Sequence, residues 1–322
     1  MTGQGPRVQA RADAVARTGA PEALRRALDR AAPGARATVL IHGYKYRPGD
    51  PARDPHRLLF GAGPEGAPRC ADWAEGLGGL VVGFGWDAWA PHLPSLAREG
   101  RNGFAAVYAR AGAAGETLRG LLEEMRARRP DLRVDMLAHS LGARVALGAA
   151  RAENAGRMIL LGAAEDAEAA LDALPAAGRG GTEVFHVAAR HNDLFDAMFE
   201  AAAPRRGGRA PRALGRAGLP AARPDWIDLQ LDHPGLAAWL ARRGAPLTPR
   251  SPAVCHWSFY ARPGALGLYR RILEEREAWS IRALRAAGAP EGLAPRWSRL
   301  APRLPRWRGA QGEGMAPRPL GV

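Results

Sequence analysis

Residues 132–147 read "LRVDMLAHSLGARVAL", and the change of pattern at Ser140 decides the fold. The first half, Leu132 to Leu137, alternates apolar and polar residues with branched side chains, which is the period of a strand. The second half puts Leu141, Val145 and Leu147 on or near one helical face. Ser140 therefore sits at a strand-to-helix turn. A turn this sharp crowds the backbone around its apex, so small residues are needed two positions to either side, and Ala138 and Gly142 supply them. A serine so placed projects its hydroxyl beyond the strand end, where the helix N-terminus aims unpaired amides at any reacting group. A serine at such a position also serves as an ordinary helix cap, and only the strand-turn-helix context separates the two readings.

The flanking chain repeats the strand-then-helix theme. "ATVLI" (37–41), "GGLVVGFGW" (78–86), "RMILL" (157–161), "TEVFHVAA" (182–189) and "WIDLQL" (226–231) are short apolar runs separated by helical patterns, among them "AAVYARAGAAGETLRGLLEEMRARRP" (105–130). Continuous apolar strands alternating with helices describe an α/β fold, a mostly parallel sheet of about six strands covered on both faces as a three-layer sandwich. Ligands in such sheets bind beyond the carboxyl ends of the strands, so residues just past each strand end are candidates for one site.

A serine hydroxyl is a weak nucleophile at neutral pH and needs a base, itself oriented by a carboxylate. His256 in "AVCHWSFYARPG" follows the last strand among aromatic residues that suit a pocket wall. His233 in "LQLDHPG" is its rival, but Pro234 directly after it fits a turn or helix start. For the carboxylate, Asp193 in "VAARHNDLF" stands in a polar loop at a strand end, whereas Asp166 in "LLGAAEDAEAAL" reads equally well as a helix cap. Asp193 is preferred over Asp166, and His256 over His233. In "IHGYKYRP" Gly43 permits a tight turn after a strand, so the amides of Tyr44 and Leu141 form a candidate oxyanion site.

The order of these parts, HG at 42–43, then Ser140, Asp193 and His256, resembles the α/β-hydrolase superfamily. More narrowly, "VLIHGYKYRP", "VDMLAHSLGARVAL", "ILLGAAED" and "ARHND" are similar to a little-characterised bacterial group of these hydrolases. That group carries an HGYN-type oxyanion loop, an AHSMGNR-type nucleophile elbow and an SxxD-type acid loop. The likeness spans about Ala37 to Glu275. It implies Ser140 as nucleophile, His256 as base, Asp193 as acid, Tyr44 and Leu141 as oxyanion amides, and a serine hydrolase acting on an ester, thioester or amide. An acyltransferase and a non-catalytic interaction protein are the alternatives on the same fold. Ala138 stands where the group more commonly has glycine, Leu141 and Ala143 where it has Met and Asn, and a long insert precedes the histidine. The leading β-hairpin of larger relatives is expected to be missing, because residues 1–35 read as a helical segment packed on a hydrolase domain at 36–285.

Composition sets the remaining bounds. The formal charge is +14, yet Lys45 is the only lysine among 46 basic residues, so the excess of arginine reflects codon bias and no nucleic-acid partner is expected. No apolar run approaches the roughly 18 residues of a membrane span, and the N-terminal residues lack the apolar core of a secretion signal, so the expected location is the cytoplasm. Cys70 and Cys255 are expected as reduced thiols, with no metal or organic cofactor, since no ligand-spaced cluster or phosphate-cradling loop occurs. The partner expected is a small acyl substrate. From 286 to 322 the chain is rich in Pro, Gly and Arg and reads as a mobile tail. Trp297 and Trp307 among its arginines suit a membrane surface, although the prolines interrupt any long amphipathic helix.

Overall fold

The computed structural model describes residues 9–13, 21–60, 73–90, 103–150, 155–176, 182–248 and 254–299. Along the chain run β1 (Gln9–Asp13), α1 (Glu22–Arg30), β2 (Arg36–Ile41), α2 (Pro55–Leu58), α3 (Trp73–Leu77), β3 (Leu80–Gly85), α4 (Gly103–Arg128), β4 (Arg133–His139) and α5 (Gly142–Ala149). They continue with β5 (Ala155–Leu161), α6 (Ala167–Ala173), β6 (Val184–Ala188), α7 (Asp193–Ala202), α8 (Leu214–Ala217), β7 (Trp226–Gln230), α9 (Pro234–Arg242), α10 (Ser258–Ala261), α11 (Ala265–Glu274) and α12 (Ile281–Ala286).

The described strands form one 7-stranded sheet in the order β1-β3-β2-β4-β5-β6-β7, and every neighbouring pair is parallel. Parallel strands need crossovers, and the helices that make them cover both faces. Side chains alternate across each strand accordingly. Val39, Ile41, Val82, Met136 and Leu160 face a core shared with α1, α4 and α5, while Leu40, Val81, Leu137, Ile159 and Phe185 face a second core shared with α3, α9 and α11. This is the α/β three-layer sandwich the sequence predicts.

One edge of the sheet differs from the expectation. Residues 9–13, read as part of an amphipathic helix, form β1 and extend the sheet to seven strands by pairing with β3 from Gln9↔Val81 to Asp13↔Gly85. Alanine and arginine favour a helix locally, but the open edge of β3 offers a row of backbone partners that a short segment satisfies better as a strand. Among the described residues of this region the helix is α1, which buries Leu24, Ala27 and Leu28.

Two features of the topology position the turn at Ser140. The chain reverses its direction of travel across the sheet between β2 and β4, which are neighbours, so the ends of these strands flank the crevice where open α/β sheets take ligands. The helix after β4 is held close against α4: a Cβ on Gly115 would lie 3.0 Å from Gly148 Cα. Such an approach fixes α5, and with it the turn at its start.

Candidate active site

Ser140 occupies the turn between β4 and α5 with φ 56°, a left-handed conformation that a residue bearing a Cβ adopts only where its surroundings enforce it. Here they do. The Ser140 N–H donates to Leu161 O at the end of β5 (2.9 Å), and its carbonyl accepts from Ala143 N (3.0 Å) and Ala164 N (3.1 Å). The elbow also packs directly onto the end of β2. A Cβ on Gly142 would stand 2.7 Å from His42 O, and one on Gly43 would stand 2.6 Å from Ser140 Cβ and 3.2 Å from Ser140 Oγ. The backbone of the HG turn thus lies against the serine hydroxyl, with Tyr44 next in the chain and Leu141 at the start of α5.

His42 is a positioning residue for that loop. It is fully buried and stacked on Trp86, whose backbone N–H donates to His42 Nε2 (3.1 Å), so the proton is on Nδ1 and is donated to Gly43 O (2.9 Å).

Ser140 and His256 line one cavity of about 650 Å³ beyond the carboxyl ends of the strands. No hydrogen bond joins Ser140 Oγ to the His256 ring among the described residues, and such bonds commonly tighten only when substrate closes the site. The imidazole is held between the Phe195 ring (centroids 4.5 Å apart, 20° between planes) and His139 (4.5 Å). His139 Nε2–H in turn donates to the His256 carbonyl (2.8 Å). Burial, reinforced by the neighbouring His139 and His191, holds His256 well below the ordinary histidine value, so it is a neutral base at physiological pH.

The side chain beside His256 Nδ1 is not the one the sequence reading names. His256 Nδ1–H donates to Asn192 Oδ1 (2.7 Å), and Asn192 Nδ2–H donates to Asp196 Oδ1 (3.0 Å). Asp193 does not reach His256. As the first residue of α7 it is turned toward the chain end, where Oδ2 accepts from Trp297 N (2.7 Å) and Oδ1 lies 3.2 Å from Arg190 Nη1. Asp196 is 3% exposed, and burial pushes its carboxyl up to about 7, against the pull of Arg190 and Arg296. The rejected rivals are both helix caps. His233 Nδ1 accepts from Gly235 N (3.1 Å) and Leu236 N (3.3 Å), while Asp166 accepts from Ala169 N (3.2 Å) and Arg212 N (2.7 Å).

A second serine, histidine and aspartate chain lies beneath the first. Ser258 Oγ is bonded to His191 Nε2, and His191 Nδ1 lies 3.7 Å from Asp232 Oδ2. Burial raises the Asp232 carboxyl, but hydrogen bonds from His191, the Arg190 N–H and Gln230 outweigh it and bring it down to about 2. Their side chains are nearly covered and do not line the cavity; they tie the segment carrying His256 to the turn at 190–192. Glu165, another group missed in the sequence, accepts from Arg144 Nη1 (2.9 Å) and Asp166 N (2.7 Å) and so anchors α5 to the loop after β5.

Within the tail read from 286 onward, residues 294–297 make hydrogen bonds to the sheet domain. Ala294 N donates to Gln230 Oε1 (2.7 Å), Arg296 pairs with Glu200 (2.8 Å), and Trp297 caps Asp193. Trp307 and Cys70 fall outside the described residues, and Cys255 is a free thiol. Ala52 and Arg53, from the segment after β2, and Leu58, at the end of α2, line the cavity. No described helix is long and apolar enough to cross a membrane.

In comparisons with known proteins, the sequence matched no family model and no curated protein.

Proposed function

We propose that the protein is a serine hydrolase that cleaves an ester, thioester or amide through an acyl-enzyme. The observation that carries this reading is the elbow itself: a non-glycine apex at φ 56° with the Gly43 backbone packed against its hydroxyl. Nothing about sheet packing alone calls for a serine in that conformation, and strain of this kind is tolerated where it serves a site.

In this mechanism Ser140 Oγ attacks the substrate carbonyl while His256 Nε2 takes the hydroxyl proton. The oxygen that gains charge is stabilised by the N–H groups of Tyr44 and Leu141. His256 then gives its proton to the leaving group, water adds to the acyl-enzyme with His256 again as base, and Ser140 is regenerated. Asn192 takes the place expected of Asp193. Its Oδ1 fixes the tautomer by accepting from Nδ1–H, and Asp196 behind it aligns the amide so that the oxygen faces the ring. A neutral amide stabilises the imidazolium less than a carboxylate does, which suits a base that burial already keeps unprotonated.

The test is turnover of a short panel of 4-nitrophenyl esters by the full chain and by Ser140→Ala. Hydrolysis lost by several orders of magnitude in the variant, with unchanged circular dichroism, supports the reading. Equal turnover by both proteins refutes it.

A further inference from the structure

We infer that the cavity at Ser140 selects an amphiphilic acyl compound, with an apolar chain seated among Phe104, Phe195, Met198 and Phe199 and an anionic group held by Lys45. This rests on the serine hydrolase reading for its chemistry, but not for its recognition. A volume of about 650 Å³ is that of a small-molecule site, and more than half of its lining residues are aromatic or aliphatic, including Phe104 at the start of α4 and Phe195, Met198 and Phe199 of α7. Such a lining rewards a chain that leaves water and offers little to a polar one.

Lys45 gives the cavity its other property. It lies two residues beyond Gly43, within about 7 Å of chain from the backbone that abuts Ser140. It is the chain's only lysine, and it is held at φ 81°, a left-handed conformation fixed by its N–H donating to Ala88 O (2.8 Å). That conformation sets the side chain at the cavity wall, with Nζ 5.5 Å from the centre of the Tyr44 ring. No carboxylate pairs with this ammonium among the described residues, whereas Arg53, the other cation at the wall, is paired with Asp50 (2.8 Å). The histidines of the cavity add no charge at neutral pH, because burial keeps His139 near 4 and His256 well below its ordinary value. Asp196, the carboxyl group lining the cavity, gives Oδ1 to Asn192 and keeps a buried Oδ2 without a hydrogen-bond partner among the described residues, and burial pushes it up to about 7, so it carries less than a full negative charge at neutral pH. An unneutralised ammonium beside an apolar chamber is complementary to a compound that is apolar at one end and anionic at the other.

Binding can be read without turnover. In Ser140→Ala, calorimetric titration with decanoate and with decan-1-ol compares an anionic and a neutral ligand of the same chain length. Decanoate is expected to bind about two- to fivefold more tightly, the range of an exposed ion pair, with the margin shrinking as salt is raised. Adding Lys45→Met should leave decan-1-ol affinity unchanged and abolish or reverse the preference, because a carboxylate is costlier to desolvate than a hydroxyl. Lys45→Arg should retain it. The inference is overturned if neither ligand binds, if the alcohol binds as tightly as the acid, or if Lys45→Met leaves the preference intact. Failure of the ester assay alongside a Lys45-dependent preference would remove the hydrolase reading and leave this one standing.

Discussion

Asp196→Asn should make the protein more stable at alkaline pH, by an amount that grows with pH. The Asp196 carboxyl is pushed up to about 7 by burial, helped by the nearby charges of Asp193 and Glu200 and opposed by Arg190 and Arg296. Unfolded, it returns to about 3.8. Between these values the folded chain holds a proton that the unfolded chain has lost, so the stability conferred by this group is full below about 3.8 and is lost as pH rises through 7. At 1.36 kcal/mol per pH unit the whole loss is about 4 kcal/mol, of which about 3 falls between pH 5 and pH 8. Asparagine keeps the shape and an oxygen to accept from Asn192 Nδ2, and it has no proton to lose. The buried neutral histidines act in the opposite sense, since His139 and His256, with lowered values, cost stability as pH falls. Parent and variant share them, so the difference in urea unfolding between the two proteins isolates Asp196. A difference that grows in the variant's favour by about 3 kcal/mol from pH 5 to pH 8 is the expected outcome. One that stays flat would show that Asp196 titrates normally and refute the reasoning.

The site sets four further outcomes. Asn192→Ala should lower kcat by about 10- to 100-fold with little change in KM, because it removes the group that orients His256; Asp193→Asn, remote from the ring, should leave kcat within a few-fold. Asn192→Asp combined with Asp196→Asn puts a carboxylate on His256 Nδ1 without a second one beside it, so the acid limb of kcat/KM should move to higher pH, whereas the parent's limb lies well below 6.5. His256→Ala should be nearly as inactive as Ser140→Ala and the double variant little worse, with His233→Ala close to the parent in rate. Gly43→Ala, whose Cβ would meet Ser140 Cβ at 2.6 Å and His139 O at 2.9 Å, should abolish turnover and cost about 1–3 kcal/mol in urea unfolding.

What could be read from the sequence is what backbone adjacency dictates. Gly43 and Ser140 follow β2 and β4 directly, so once those strands are recognised as parallel neighbours, their ends must meet. That His256 lines the cavity was legible because aromatic residues surround it in a segment that lies after the last strand. The side chain that meets His256 Nδ1 was not legible at the level of one residue. Arg190–Asn192 form a short 3-10 turn that runs into α7, and in helical backbone successive side chains point about 100° apart. A single step from Asn192 to Asp193 therefore carries a side chain from the cavity to the far side of the turn, where Trp297 holds it. Residues 294–299 were illegible for a related reason: their Pro and Arg content marks a segment without regular structure, but single hydrogen bonds to Gln230, Asp193 and Glu200 leave no periodic trace. β1 escaped notice because pairing with a sheet edge overrode local helix propensity.

The central claim, that Ser140 is a nucleophile activated by His256, is tested most directly by reacting the intact protein with a fluorophosphonate and locating the adduct by peptide mass spectrometry. The account predicts one adduct per chain, on the peptide containing Ser140, absent in Ser140→Ala and formed far more slowly in His256→Ala. No adduct on the folded parent, an adduct at Ser258 instead, or undiminished labelling of Ser140→Ala would contradict it.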